Sequence, residues 1–183
     1  MKILISTGGT GGHIYPALIV GEYLKENGVE TFYTIGKRER EIEILKESNE
    51  RFINLPIGAP SGKLFHFQIF ISLFKSFSIL KKEKPDKVFA FGSYVSFPIL
   101  FMSRLLKIPY YLHEQNSIPG KVIKTFSKKA EKVFISFYES KNYLNFNNIV
   151  MSGMPVREKI GKMNGVWRDT LLLEKRSKII GIN

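Results

Sequence analysis

Short apolar runs rich in β-branched and aromatic residues alternate with longer segments of helical period over residues 1–152, a pattern that predicts a parallel sheet covered by helices. Strands are expected at about 2–6, 30–35, 51–55, 87–91, 110–113, 132–135 and 149–152. Helices are expected near 14–27, 38–48, 64–82, 95–107, 119–127 and 138–145. Asn27-Gly28 closes the first helix with a residue that tolerates positive φ. Pro85-Asp86 and Ile108-Pro109 stop the helices before two later strands, because a proline disfavours helical conformation in the residue before it.

Such a sheet offers ligands the crevice beyond the carboxyl ends of its strands, and the chain places its unusual residues there. After the first strand comes Thr7 to His13; after 87–91 comes Gly92-Ser93-Tyr94; after 110–113 comes Glu114-Gln115-Asn116; after 149–152 comes Gly153-Met154-Pro155-Val156-Arg157. Four polar or glycine-rich loops therefore converge on one edge.

Length and composition narrow the chemistry. The 183 residues, 44% hydrophobic, suffice for a continuous core. The absence of cysteine excludes a disulfide scaffold and thiol or Cys-metal chemistry, and His13, His66 and His113 have no metal-ligand spacing, so no metal site is expected. The N-terminal apolar run, Ile3-Leu4-Ile5, reads as a first strand and not a secretion signal, which predicts a cytoplasmic location. A formal net charge of +12 favours an anionic partner. Nucleic acid fits that charge poorly here, because the lysines flank an apolar helix and no RNP-like or helix-turn-helix signature occurs.

The glycine loop is the strongest chemical signal. Residues 6–16, Ser-Thr-Gly-Gly-Thr-Gly-Gly-His-Ile-Tyr-Pro, join a strand to a helix. Glycines allow close backbone approach, and the first-turn N–H groups of the following helix point at whatever lies in front, so phosphate or pyrophosphate is the expected guest. A dinucleotide fingerprint counted from Gly9 and Gly11 reaches Ile14 where its last glycine should stand, and a Walker loop would need Lys and Ser/Thr where His13 and Ile14 stand. His13 is the side chain best suited to take a proton from a sugar hydroxyl near neutral pH; capping or packing of the first helical turn is the plainer alternative. In His113-Glu114-Gln115-Asn116 the amides and carboxylate match vicinal carbohydrate hydroxyls, with helix capping again the alternative for Gln115 and Asn116.

Gly8-Gly9-Thr10-Gly11-Gly12-His13, Gly92-Ser93-Tyr94-Val95-Ser96, His113-Glu114-Gln115-Asn116 and Gly153-Met154-Pro155-Val156-Arg157, in this order over residues 1–157, together resemble the MurG family, within glycosyltransferase family 28. The resemblance implies an α/β, Rossmann-like parallel sheet with helices on both faces, forming the N-terminal acceptor half of a GT-B fold. It implies transfer of GlcNAc from UDP-GlcNAc to lipid I, giving lipid II in peptidoglycan synthesis, with inversion at the sugar, no essential metal and no cofactor. By position, Thr10, Gly11 and Gly12 match the loop lying against the diphosphate or acceptor, Asn116 the asparagine on the donor sugar, and Arg157 the arginine near uridine diphosphate. His13 matches the histidine proposed as base, and Gly9, Tyr94, Glu114 and Gln115 complete the candidate substrate-binding set. Ser93 stands where a second glycine is usual, Phe97 where a glycine often follows Val-Ser, and Met154 where asparagine is usual.

Residues 63–84 form a basic aromatic helix that reads as too short and too interrupted, by His66, Gln68 and Lys75, to span a bilayer but able to lie on one. Phe67, Phe70, Ile71, Phe74 and Phe77 recur at three- and four-residue steps, and Lys75, Lys81, Lys82 and Lys84 would meet anionic headgroups. The same stripe would equally serve as the packing face of a sheet-covering helix. The resemblance favours the cytoplasmic face of the cell membrane, where an undecaprenyl-linked acceptor is reached.

The resemblance fills an acceptor-side domain at 1–157. Residues 158–183 read as a linker with a short helix and the start of a donor-side domain, with Trp167 and Leu171-Leu172-Leu173 left without their usual partners and Lys178–Asn183 resembling that domain's first strand. A truncated or interrupted reading frame, inactive alone, is the expectation. The rival is a split enzyme whose donor half is a separate chain.

Overall fold

The computed structural model describes residues 1–9, 11–58, 64–144 and 146–156. These build one seven-stranded, wholly parallel sheet of β1 (Lys2–Ser6), β2 (Glu30–Ile35), β3 (Phe52–Asn54), β4 (Lys87–Ala90), β5 (Tyr110–Glu114), β6 (Val133–Ile135) and β7 (Ile149–Met151) in the order β3-β2-β1-β4-β5-β6-β7. Between them lie α1 (Gly11–Glu26), α2 (Glu39–Glu47), α3 (Leu64–Glu83), α4 (Ser96–Leu105) and α5 (Lys121–Phe126). The strand order reverses between β1 and β4, which makes the mouth between those two strands the topological switch point.

Strand alternation sorts the core into two layers. Leu4, Phe32, Val88, Ala90, Leu112, Val133 and Ile135 face α3, α4 and α5. Ile3, Ile5, Tyr33, Ile35, Phe89, Phe91 and Phe134 face α1 and α2. Adjacent residues of one strand thus enter opposite layers, which is why each strand reads as an unbroken apolar run.

All seven expected strands are present, within a residue or so at each end. The helices differ more. α1 begins at Gly11, three residues before the expected start, and so takes Gly11, Gly12 and His13 into its first turn. Glycine's low helix propensity hides that start, and Pro16, buried inside α1, removes the N–H that would close on the Gly12 carbonyl. Residues 119–127 shorten to α5 followed by a 3-10 turn, Ser127–Lys129. The helix expected at 138–145 is instead a 3-10 stretch, Tyr138–Tyr143, in which Ser140 alone is buried; without an apolar stripe there is nothing to hold a regular α-helix against the sheet. Residues 157–183, with the expected linker and the start of a second domain, lie outside the described residues.

One ion-pair network ties the amino ends of the layers together. Glu83, at the end of α3, accepts from Arg51 at 2.7 Å and from Lys2 at 2.9 Å. These two cations, Arg51 first, hold its carboxyl down to about 2. A depressed carboxylate stabilises the fold above its unfolded value and stops doing so as pH falls through its folded value. The stability difference between the parent chain and Glu83→Gln is therefore expected to be about 1 kcal/mol at neutral pH. It should vanish between the ordinary value of 4.5 and about 2, as read by denaturant titration at stepped pH.

Candidate functional site

The carboxyl ends of β1, β4 and β5 are held level by register, with Ser6 opposite Ala90 and Ala90 opposite Leu112. Two further backbone bonds carry the alignment past the strands: Phe91 N–H donates to Ser6 at 2.9 Å, and Ser136 N–H donates to Glu114 at 3.0 Å. The loops after β1, β4 and β5 therefore open onto one edge, with the reversal of strand order in their midst.

His13 stands on the first turn of α1, half-buried in that mouth. Its Nδ1 lies 2.8 Å from Gln115 Oε1, across the crevice. Gln115 is buried, and its Nε2 lies 3.1 Å from Nδ1 of His113, whose Nε2 lies 3.3 Å from the Gly153 carbonyl. Gly92, at φ +76°, is the floor beside the ring: a Cβ there would sit 3.6 Å from His13 Cε1. The β1, β4 and β5 loops thus meet around the His13 imidazole, and the β7 loop joins them through His113.

The glycine loop is braced from beneath by two residues that the sequence did not single out. Glu41, buried in the first turn of α2, accepts the Gly9 N–H and the Gly36 N–H, each at 2.8 Å. Arg38 donates to the Gly9 carbonyl and lies 5.6 Å over the Tyr94 ring. The Gly9 amide, expected to face a ligand, is therefore taken by a carboxylate. What remains toward the crevice is the start of α1, where the first-turn N–H groups of Gly11, Gly12 and His13 have no carbonyl one turn back. Gly9 holds φ +89°, where any side chain is strained, and a Cβ there would lie 2.8 Å from Ser93 Oγ, which would have to turn aside. The signal for Glu41 was present but weak, an acidic residue in the first turn of a helix on the same edge; only the fold brings α2 beneath the β1 loop.

Glu114 and Asn116 shape the β5 loop. The buried carboxylate of Glu114 accepts from the Asn116 N–H at 2.8 Å, the Asn116 side-chain NH2 at 3.0 Å and the Gly120 N–H at 2.9 Å. Both its oxygens are thus used within the loop, while Asn116 stays exposed at the rim. Tyr94 packs edge-on to Phe65, and burial pushes its hydroxyl pKa up, against the opposing pull of Arg38. Ser93 holds φ +67°, a conformation that costs a non-glycine residue about 1–2 kcal/mol, which accounts for the glycine usual at this place. Thr10 and Arg157 lie outside the described residues. Among the described residues, no group of three or more His, Cys, Asp or Glu side chains is placed to hold a metal ion.

α3 presents a different surface. Its packing face carries Ser72, Ser76, Ile79 and Leu80, with Phe65 and Ile69 half-buried. The stripe of Phe67, Phe70, Ile71, Phe74 and Phe77 is exposed, so it is not the face that covers the sheet. Lys75, Lys81 and Lys82 are exposed too. By length, 20 residues, and mean hydropathy, 1.2, this helix alone would pass as a membrane span, contrary to the expectation that it is too short. Its place as a crossover packed on α4 instead sets it flat on the domain.

The family model for the glycosyltransferase family 28 N-terminal domain matches residues 3–135. The chain belongs to this family. Among curated family 28 relatives, the chain is 42% identical over 170 residues to the UDP-N-acetylglucosamine--N-acetylmuramyl-(pentapeptide) pyrophosphoryl-undecaprenol N-acetylglucosamine transferase of Borreliella afzelii, covering 86% of this chain and 47% of the relative. It is 34% identical to the Fusobacterium nucleatum protein of the same name, over 98% of this chain and 51% of that one. The chain thus spans about half the length of the curated relatives it matches. Among solved structures, Acinetobacter baumannii MurG superposes with a TM-score of 0.75 at 26% identity, over 86% of this chain and 46% of that one. UDP-GlcNAc 2-epimerase from Neisseria meningitidis superposes at 0.66 and 19%, over 97% of this chain and 53% of that one, a likeness of fold alone.

Proposed function

We propose that this chain is the acceptor-binding half of an inverting transferase that moves GlcNAc from UDP-GlcNAc to lipid I. The observation that carries the reading is His13, held at the switch point by Gln115 at 2.8 Å on the first turn of a glycine-opened helix. The amides of Gly11 and Gly12, with Thr10, receive the diphosphate of the lipid-linked acceptor, because a helix start favours negative charge and glycine lets it approach. The His13 imidazole then takes the proton from the acceptor hydroxyl as that oxygen attacks the anomeric carbon of the donor sugar, and UDP leaves from the opposite face. Asn116 offers its amide oxygen to the donor sugar from the loop that Glu114 shapes, and Tyr94 walls the acceptor side. Arg157 meets the uridine diphosphate.

The exposed aromatic stripe of α3 docks on the anionic cytoplasmic face of the membrane, with Lys75, Lys81 and Lys82 against headgroups. The start of the same helix reaches the mouth, where Phe65 packs against Tyr94.

Transfer of radiolabelled GlcNAc to lipid I tests the assignment. The 183-residue polypeptide alone is expected to give no turnover, and joined to the C-terminal half of the Borreliella afzelii relative it is expected to transfer. Turnover by the polypeptide alone, or none by a folded chimera, would refute the division of labour.

A further inference from the structure

We propose that His113 and Gln115 are positioning residues that fix which nitrogen of His13 carries the proton, and that the Gly153 carbonyl sets the direction of this relay. The three contacts run in series from Gly153 to His113 to Gln115 to His13, at 3.3, 3.1 and 2.8 Å. A side-chain amide is symmetric in shape, so His13 and Gln115 alone could be wired either way round. A backbone carbonyl has no such freedom, because it accepts and never donates. The Ser136 and Ser152 hydroxyls reach the same carbonyl at 3.4 Å, but they cannot supply a donor to the ring nitrogen that faces it, so the neutral His113 ring points Nε2–H at Gly153 and keeps its Nδ1 as an acceptor. That nitrogen takes a proton from the Gln115 NH2, and the Gln115 oxygen is turned toward His13. Oxygen accepts only, so His13 carries its proton on Nδ1 and presents a bare Nε2 lone pair.

The reverse wiring would bring two acceptors face to face at Gly153, inside a fold where His113 is fully buried and Gln115 nearly so. An unpaired polar contact in that setting is strongly disfavoured. The relay also does its work without a carboxylate, so it orients the imidazole while adding no negative charge beside it. Gly153 belongs to the loop after β7 and His13 to α1, so the proton position on one side of the mouth depends on a backbone group on the other.

The inference rests on the reading of His13 as the base, but its test reads protons and not turnover. The chain has three histidines, so the imidazole nitrogens resolve in a long-range proton–nitrogen spectrum of the 183-residue protein, taken at a pH where the rings are neutral. Expected are opposite patterns, with the proton on Nδ1 in His13 and on Nε2 in His113. In Gln115→Leu the two nitrogens of His13 should move toward each other, as an unheld ring samples both forms. Gln115→Glu should restore the Nδ1 proton of His13 while forcing a proton onto Nδ1 of His113. An Nε2 proton on His13 in the parent protein, or a His13 pattern unmoved by Gln115→Leu, would overturn the proposal. If the spectra agree and His13→Ala in the chimera still transfers sugar at the chimera's own rate, the relay stands and the base assignment falls.

Discussion

His13→Ala, built into the chain joined to a family 28 C-terminal half, is expected to lower kcat by about 10²- to 10⁴-fold, the range that a positioned general base supplies. The half-buried ring meets the crevice from the first turn of α1, between Gly92 and Gln115. Stability should fall by about 1 kcal/mol, because the Gln115 oxygen loses its partner at the edge of the mouth. KM for the acceptor should move far less than kcat, since the proton is taken in the transition state and the diphosphate is held by backbone amides that the substitution leaves alone. An equal rise in KM with kcat unchanged would instead make His13 a binding residue. Unchanged kcat/KM would remove it from the reaction.

Phe70→Ser, Phe74→Ser and Lys81→Ser together are expected to weaken binding to anionic vesicles by about 10²-fold. Phe70 and Phe74 are 58% and 63% exposed, with rings 4.9 Å apart, and form a ridge with Phe67 at 61%. A phenylalanine side chain gains about 1.5–3 kcal/mol on full burial, so partial insertion is worth about 1 kcal/mol for each. One lysine near an anionic surface adds about 1 kcal/mol. The sum is about 3 kcal/mol, or roughly a hundredfold in affinity. All three side chains face solvent, so the variant should melt near the parent temperature. Co-sedimentation measures the effect; binding that survives the triple replacement would detach this face from the membrane.

How much of this was visible in the sequence differs from element to element. The strands were legible because both faces of the sheet are covered, so Ile3-Leu4-Ile5 and Val88-Phe89-Ala90 read as solid apolar runs. The convergence of loops on one edge followed from topology and needed no side-chain detail. The start of α1 was hidden because glycine is a poor helix former, although Gly11 and Gly12 are the residues on which the proposed diphosphate site draws. The 138–145 segment was misjudged for the opposite reason, since length and spacing suggested a helix that no apolar stripe supports.

Glu41 and Arg38 were beyond reach of local pattern, because they act on Gly9 across about thirty residues of sequence through the packing of α2 under the β1 loop. The α3 stripe was ambiguous because the helix is apolar nearly all round. Only the fold shows that Ser72, Ser76, Ile79 and Leu80 take the inner side, leaving the phenylalanines outward.

The claim on which the account turns is that the first turn of α1 receives the diphosphate of a lipid-linked acceptor. The most direct measurement is the change in backbone amide signals as the 183-residue chain is titrated with a short-chain lipid I analogue. The largest saturable shifts are expected at Gly11, Gly12 and His13, with Tyr94 following and the Gly9 amide, already bonded to Glu41, moving less. Saturable binding that leaves those three amides unmoved, with shifts confined to the outer face of α3 or elsewhere, would contradict it.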